Sequence, residues 1–128
     1  MSKLAVIVCR VGEFPIVERI DSDLAAMQKI VGGHVECVRL SGTSFTHGID
    51  LWCDEEFLFK DYAPNRMVSS DLIIHGDFFI AAHDGKGATI GLTTDEQERW
   101  LRIVADGDPC LPRLDLNRRA SYRPATRP

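Results

Sequence analysis

The chain has 128 residues, of which 45% are apolar and 27% charged, and its formal net charge is −4 at pH 7. This balance is typical of a folded domain and differs from the composition of disordered chains. The longest uncharged apolar runs, 4–9 and 78–82, are far shorter than the ~20 residues that cross a bilayer. No secretory leader pattern opens the chain. We therefore expect a cytoplasmic protein without membrane contact.

Charge is unevenly distributed. Residues 108–128 contain five arginines and two aspartates, a net charge of +3, whereas the preceding 107 residues carry −7. The same segment holds four of the six prolines and shows no apolar periodicity. This pattern predicts one domain over 1–107 and an extended basic tail over 108–128.

The spacing of the cysteines does not indicate a disulfide framework. Cys9, Cys37, Cys53 and Cys110 lie far apart and include no C-x-x-C pair, and three of them lie within apolar segments. A disulfide-rich domain or a zinc site would space its cysteines closely and regularly. We expect buried, reduced and unreactive thiols.

The first third of the chain predicts two strands and a helix. Segment 3–10 is rich in valine and isoleucine, and 15–20 is a candidate hairpin partner. The cluster 21–23 offers N-cap residues, and apolar side chains at helical spacing follow through residue 31. Gly32-Gly33 ends this helix, 23–31, because glycine adopts the left-handed C′ conformation without strain.

The middle of the chain alternates strands and turns. Segments 34–40 and 49–53 are strand candidates, separated by a loop over 41–48. Pro64-Asn65-Arg66 is predicted to open a short helix or irregular turn that reaches about residue 70. Segment 71–82 is the strongest later strand, with a bulge expected at Gly76.

The chain then forms a second hairpin and a second helix. Residues 83–87 are a turn signal, and 88–92 is the partner strand. Helix 94–105 begins with a capping box, Thr93 with Glu96 or Thr94 with Gln97, and its Trp100–Leu101 stripe is expected in the core. The predicted fold is α+β: a mostly antiparallel sheet of about five or six strands packed with two helices, plus the extended C-terminal tail.

The order of these segments resembles a bacterial and phage family catalogued as domain of unknown function 3846. The resembling stretch covers about residues 5–101. Its most telling pieces are Val31-Gly32-Gly33, Pro64-Asn65-Arg66 and the helix start over 92–97. The resemblance implies a small protein of a bacterium, phage or other mobile element, and it implies no activity, cofactor or catalytic residue.

Two groups of residues are candidates for catalysis or metal binding. His75 and Asp77 would share one face of a strand, with His83-Asp84 further along, but a metal would need the chain to fold back to bring a third ligand. An enzyme site assembled from His75, Asp77 and Arg66 is the weakest functional alternative. We expect no metal, no cofactor and no catalytic residues.

Two other groups are candidates for binding. Asn65 and Arg66 form the candidate ligand or partner site, because a guanidinium offers a planar fork of donors to phosphate or carboxylate. The alternative is a capped turn whose arginine packs over the body. In the tail, four residues could contact nucleic acid by phosphate pairing and stacking, although the acidic body would oppose it: Arg118, Arg119, Tyr122 and Arg123.

These patterns favour a small non-enzymatic binding protein of phage or mobile-element type. Its expected role is to sequester or inhibit a host protein, or to hold a small anionic ligand such as a nucleotide. The alternative is a nucleic-acid-associated accessory protein that uses its basic tail. Exposed sheet edges would allow homo-oligomers, and no residue pattern fixes their number.

Overall fold

Eight strands and two helices form the described part of the chain, residues 3–43, 45–57, 60–69 and 72–106 of a computed structural model. In chain order they are β1 Lys3–Cys9, β2 Ile16–Asp21, α1 Leu24–Val31, β3 Val35–Ser41, β4 Gly48–Asp54, β5 Pro64–Ser69, β6 Leu72–His75, β7 Phe78–His83, β8 Thr89–Ile90 and α2 Thr94–Asp106. The predicted α+β class is confirmed.

The main sheet has six antiparallel strands in the spatial order β2-β1-β7-β4-β3, with β8 paired to the end of β7. Both predicted hairpins, β1–β2 and β7–β8, are confirmed. In the second hairpin, the Asp84 carboxylate accepts the amides of Lys86 at 2.8 Å and Ala88 at 2.9 Å. Such side-chain-to-backbone bonds favour tight turns.

The sheet separates two apolar clusters because side chains alternate along each strand. The face towards α2 carries Ile7, Leu51 and Ile80, with Trp100 and Leu101 packed against them. The α2 stripe predicted to lie in the core packs against it, but both side chains are only partly buried. The opposite face carries a second cluster with residues of α1.

Helix α1 begins and ends as its sequence predicts. The carboxylate of Asp23 accepts the amide of Ala26 at 2.8 Å, and Gly32 adopts φ +88° while its amide bonds the Gln28 carbonyl. Next to it, Gly33 packs so closely that a Cβ would lie 2.6 Å from Oδ2 of Asp54. A side chain at this position would displace the Asp54 carboxylate.

The segment from residue 64 to residue 83 corrects two predictions. The Pro64-Asn65-Arg66 helix or turn is wrong: these residues begin β5, which pairs with β6 in a separate two-stranded sheet. The single strand with a bulge at Gly76 is also wrong, because Gly76 (φ +87°) divides β6 from β7. A Cβ on Gly76 would lie 2.9 Å from Cδ2 of Tyr62, so the absence of a side chain lets the Tyr62 ring pack against this turn.

Neither α1 nor α2 is long and apolar enough to cross a membrane.

Candidate ligand-binding cleft

A cleft of about 320 Å³ opens where the loop between β3 and β4 meets the first turns of α2. Its loop side consists of Ser41, His47 and Ile49, and its helix side of residues 95, 96, 99 and 100. Pockets that hold small ligands start at roughly this volume. The cleft therefore lies between two elements that are far apart in sequence.

Helix α2 is fixed at the cleft by the predicted capping box. The Thr93 amide donates to Oε1 of Glu96 at 2.8 Å, and the Glu96 amide donates to Oγ1 of Thr93 at 3.2 Å. The other carboxylate oxygen of Glu96 pairs with Nε2 of His47 at 2.5 Å. Burial raises the pKa of Glu96, but the bonds from Thr93 and His47 lower it more, and the pKa lies below its ordinary value. Glu96 thus joins the loop to the helix as a carboxylate.

The loop side of the cleft depends on close backbone packing. Gly48 could not carry a side chain, because a Cβ would lie 2.2 Å from the Ser41 carbonyl oxygen and 2.6 Å from the His83 ring. The Ser41 hydroxyl accepts the Ile49 amide at 3.2 Å. These contacts hold the loop beside the start of β4.

The helix side combines an arginine with an aromatic ring. Arg99 is exposed, and among the described residues its guanidinium forms no ion pair. Trp100 is half-buried against the core, and the buried Ile49 side chain faces it across the cleft. Exposed Asp95 adds a carboxylate on the same turn. The cleft offers a planar cation, an apolar wall and two carboxylates, of which Asp95 is exposed and Glu96 is paired with His47.

Beneath the loop lies a buried carboxylate–imidazole pair. Nδ1 of His83 lies 2.7 Å from Oδ2 of Asp50, and Nε2 lies 2.9 Å from the Thr43 carbonyl oxygen. Both side chains are nearly inaccessible, 3% and 2% exposed. Nε of Arg39 approaches Oδ1 of Asp50 at 3.6 Å, so a guanidinium and an imidazole flank one carboxylate.

The candidate residue Asn65 is buried in β5. Its Nδ2 donates to the carbonyl oxygens of Cys9 at 2.9 Å and Gly76 at 2.8 Å. Arg66 belongs to the same strand, and its side chain lies outside the described part of the chain. Neither residue lines the cleft beside α2. Their assignment as a ligand site stays a prediction.

The four residues of the metal-like pattern are bonded separately. His75 Nδ1 lies 3.1 Å from the Tyr62 carbonyl oxygen, and Asp77 accepts the Val11 amide at 2.9 Å. His83 pairs with Asp50 of the neighbouring strand β4, and the Asp84 carboxylate accepts backbone amides of the β7–β8 turn. Within the described residues no three histidines, cysteines or acids are grouped as metal ligands.

The expectation of buried thiols holds for Cys9 and Cys53 and is wrong for Cys37, which is exposed on edge strand β3. Partial desolvation of the thiol and the charge of Asp50 nevertheless raise the pKa of Cys37 to about 11. Its nucleophilic thiolate is therefore scarce at neutral pH. Cys110 lies outside the described residues.

A second cleft, of about 450 Å³, lies at the C-terminal end of α1. Asp61, Asp77 and Lys29 contribute its charged groups, beside the Tyr62 side chain. Two carboxylates line each cleft, but this one adjoins the C-terminal end of a helix, which disfavours an anion. The cleft beside α2 instead adjoins the first turns of a helix and holds the Arg99 guanidinium. The cleft beside α2 is the better match for the predicted anionic ligand.

Sequence reasoning missed His47 and Arg99 as site residues. The loop over 41–48 has no regular pattern, and its contact with Glu96 joins residues 49 positions apart. The available signal was the Arg99-Trp100 pair one turn beyond a capping box. The predicted tail residues Arg118, Arg119, Tyr122 and Arg123 lie outside the described part of the chain.

A match to a known family spans most of the chain. A family described as a domain of unknown function, DUF3846, matches residues 2–105. The chain belongs to the DUF3846 family. The resemblance read from the sequence is confirmed, and the DUF3846 match includes every residue of the cleft and ends before the basic tail. No curated protein and no solved structure matches the chain.

Proposed function

We propose that this protein is a non-enzymatic binding protein that holds a small anionic ligand with an aromatic ring. The site is the cleft between the β3–β4 loop and α2. The observation that carries the proposal is the Arg99–Trp100 pair at the cleft wall, where a cation without an ion-pair partner among the described residues adjoins an aromatic surface. A guanidinium binds phosphate or carboxylate through paired hydrogen bonds, and an indole face receives a flat ring.

The size and the remaining polar groups support a nucleotide-like ligand. A volume of about 320 Å³ suits one small molecule rather than a polymer. The Ser41 hydroxyl can donate to the ligand, and the Asp95 carboxylate can accept from a hydroxyl or amino group. A nucleoside monophosphate carries an anionic group, a flat ring and hydroxyl groups that complement these side chains. An aromatic carboxylic acid carries only the anionic group and the ring.

The hydrogen bonds of the titratable side chains near the cleft support binding rather than turnover. The Glu96 carboxylate is held by Thr93 and His47, and the Asp50–His83 pair faces the Thr43 carbonyl beneath the loop. Catalytic groups instead need access to the reacting atoms. In this proposal the protein retains its ligand unchanged.

The biological role in this proposal is sequestration. The resemblance implies a small protein of a bacterium, phage or other mobile element, and a binding protein without turnover acts by stoichiometry. We propose that it withdraws a host nucleotide or inhibits a host factor. Native mass spectrometry of protein taken directly from its source cells would show a retained small molecule; release of a chemically altered product would contradict a purely binding role.

Site-directed variants of α2 test the cleft directly. Amide NMR shifts are followed during titration with AMP, GMP and benzoate. We expect shifts at Ser41, Ile49 and Trp100, and an affinity loss of about tenfold or more in Arg99→Gln, because a charge-assisted hydrogen bond is removed. Arg102→Gln is the matched control, since Arg102 is exposed on the same helix and does not line the cleft. Equal losses in both variants, or no shifts with any probe, would refute the site.

A second candidate function rests on the charge asymmetry of the chain. The +3 segment 108–128 lies beyond the family match, which ends at residue 105. The proposal is that Arg118, Arg119, Tyr122 and Arg123 bind single-stranded nucleic acid by phosphate contact and stacking. It predicts salt-dependent oligonucleotide binding that disappears on truncation after Gly107; unchanged affinity in the truncated protein would rule it out.

A further inference from the structure

The His83 ring is bonded through both of its nitrogens to acceptor groups. Asp50 Oδ2 lies 2.7 Å from Nδ1, and the Thr43 carbonyl oxygen lies 2.9 Å from Nε2. A neutral imidazole has a single N–H and can donate only once. Both bonds form only when the Asp50–His83 pair holds one proton more than a carboxylate with a neutral ring.

Thr43 belongs to the β3–β4 loop, and its carbonyl oxygen accepts the bond that depends on this additional proton. Its amide donates to Oγ1 of Thr46 at 2.9 Å, and its carbonyl also accepts the Thr46 amide at 3.3 Å. The turn is thus internally bonded and is attached to the sheet through His83. Its two flanks, Ser41 and His47, form the loop side of the cleft. A change at His83 is therefore transmitted to residues that line the site.

We propose that Asp50 and His83 form a proton-operated latch that holds the β3–β4 loop against the sheet and so shapes the cleft beside α2. The role of the cleft rests on the proposed function, whereas the attachment of the loop does not. Loss of the proton leaves the Nε2 lone pair facing the Thr43 carbonyl oxygen, and the two acceptors repel each other.

The groups around His83 set the direction of the switch. Burial lowers the pKa of His83 most, and Arg39 lowers it further, but the bonds to Thr43 and Asp50 together raise it above the ordinary 6.5. Among the described residues, the Cys37 thiol, whose own pKa is raised, interacts with Asp50, and the Asp84 carboxylate interacts with His83. A raised pKa means that the latch is fully closed below pH 6.5 and opens as the pH rises through the folded-state value.

NMR on the full chain tests the latch without any ligand. The ring nitrogens of His83 report its protonation, and amide protection factors of Thr43 and Thr46 report the loop between pH 5.5 and 9. We expect protection to fall about tenfold at the pH where His83 deprotonates, as one charged hydrogen bond is lost. Protection factors that stay constant while His83 titrates would overturn the proposal.

Variants show whether the loop transition is caused by titration of His83 or of another group. Asp50→Asn should move the loop transition to lower pH, and His83→Gln should abolish it. His34→Gln, at an exposed position outside the loop, is the control and should leave the transition in place. His47→Gln removes the loop's bond to Glu96 as well as its imidazole, so it should lower protection at every pH without moving the midpoint. If His83→Gln does not fold, Asp50→Asn decides, and an unchanged midpoint there refutes the latch.

Binding of AMP, as the probe, distinguishes this inference from the proposed function. We expect AMP affinity to fall by about tenfold across the same pH interval in the wild type and to stay flat in His83→Gln. A loop transition in a protein that binds none of AMP, GMP and benzoate supports the latch and contradicts the proposed ligand class. AMP binding without a loop transition supports the cleft and overturns the latch.

Discussion

Asn65 Nδ2 donates to the Cys9 carbonyl oxygen at 2.9 Å and so joins the two-stranded sheet to the end of β1 in the main sheet. The same amide nitrogen bonds the Gly76 carbonyl oxygen at 2.8 Å, at the point where the chain passes from one sheet to the other. Asn65 is 1% exposed, so water cannot replace either bond. One side chain therefore fixes the junction of the two sheets.

Replacement of Asn65 should cost substantial stability. Asn65→Ala leaves the carbonyls of Cys9 and Gly76 without this donor, and each unsatisfied buried group costs roughly 1–3 kcal/mol. We expect the free energy of unfolding to fall by about 2–4 kcal/mol in urea titrations. Glu55→Ala, at an exposed position, is the control and should change it by under ~0.5 kcal/mol. A loss as small as the control's would show that the junction does not depend on Asn65.

Acid should weaken the protein through Asp54. Its carboxylate accepts Lys60 Nζ at 2.7 Å, the Tyr62 hydroxyl at 2.8 Å and the Glu56 amide at 2.8 Å. Burial raises the pKa of Asp54, but these bonds lower it more, and it lies below the ordinary 3.8. A depressed pKa stabilises the fold above 3.8, and this contribution is lost as the pH falls through the folded-state value.

The measurement is the free energy of unfolding of wild type and Asp54→Asn between about pH 2 and pH 6. The difference in free energy of unfolding between wild type and variant should be constant in the upper part of this range. It should shrink as the pH falls through the pKa of Asp54, because asparagine does not titrate. Parallel curves over the whole range would mean that Asp54 contributes nothing to acid sensitivity.

Gly33→Ala should strain the same cluster. The new methyl would lie 2.6 Å from Asp54 Oδ2 and 2.9 Å from Lys60 Nζ. Overpacking of this kind costs roughly 1–3 kcal/mol. Thermal unfolding should show a lowered Tm, and Lys60→Ala in the same chain should reduce the added penalty by freeing space on one side. An unchanged penalty in the double variant would place the strain at Asp54 alone.

Cys37 should react slowly although it is exposed. Its pKa of about 11, against an ordinary 9.0, makes the thiolate about 100-fold scarcer at neutral pH. Alkylation by iodoacetamide should therefore be far slower than that of a free thiol. Asp50→Asn should accelerate it, because burial and the Asp50 charge are the two largest causes of the raised pKa. The test uses a Cys110→Ser background to remove the tail thiol; a rate equal to free cysteine would contradict it.

The sequence was most informative where structure is decided locally. Asp23 with Gly32, and Thr93 with Glu96, predicted the helix ends, because capping involves neighbouring residues only. Alternation and turn chemistry likewise predicted both hairpins. These features depend on a few consecutive side chains, and one sequence suffices to recognise them.

Long-range contacts explain what was missed. The break at Gly76 depends on the Tyr62 ring, and an apolar run does not reveal which sheet each half will join. The cleft depends on His47 meeting Glu96 across 49 positions, through a loop without a pattern. Asn65 stood out as a residue that could bind a ligand, but the carbonyls that it contacts have no signature in the sequence.

The position of β7 between β1 and β4 has a consequence for synthesis on the ribosome. The β1–β2 and β3–β4 hairpins are complete before Phe78 is translated, yet neither has its inner neighbour until β7 arrives. A nascent chain that ends before this strand holds two separate ribbons with open inner edges. The two hairpins of the main sheet are thus joined late, by the six residues of β7, which are synthesised after strands β1 to β6.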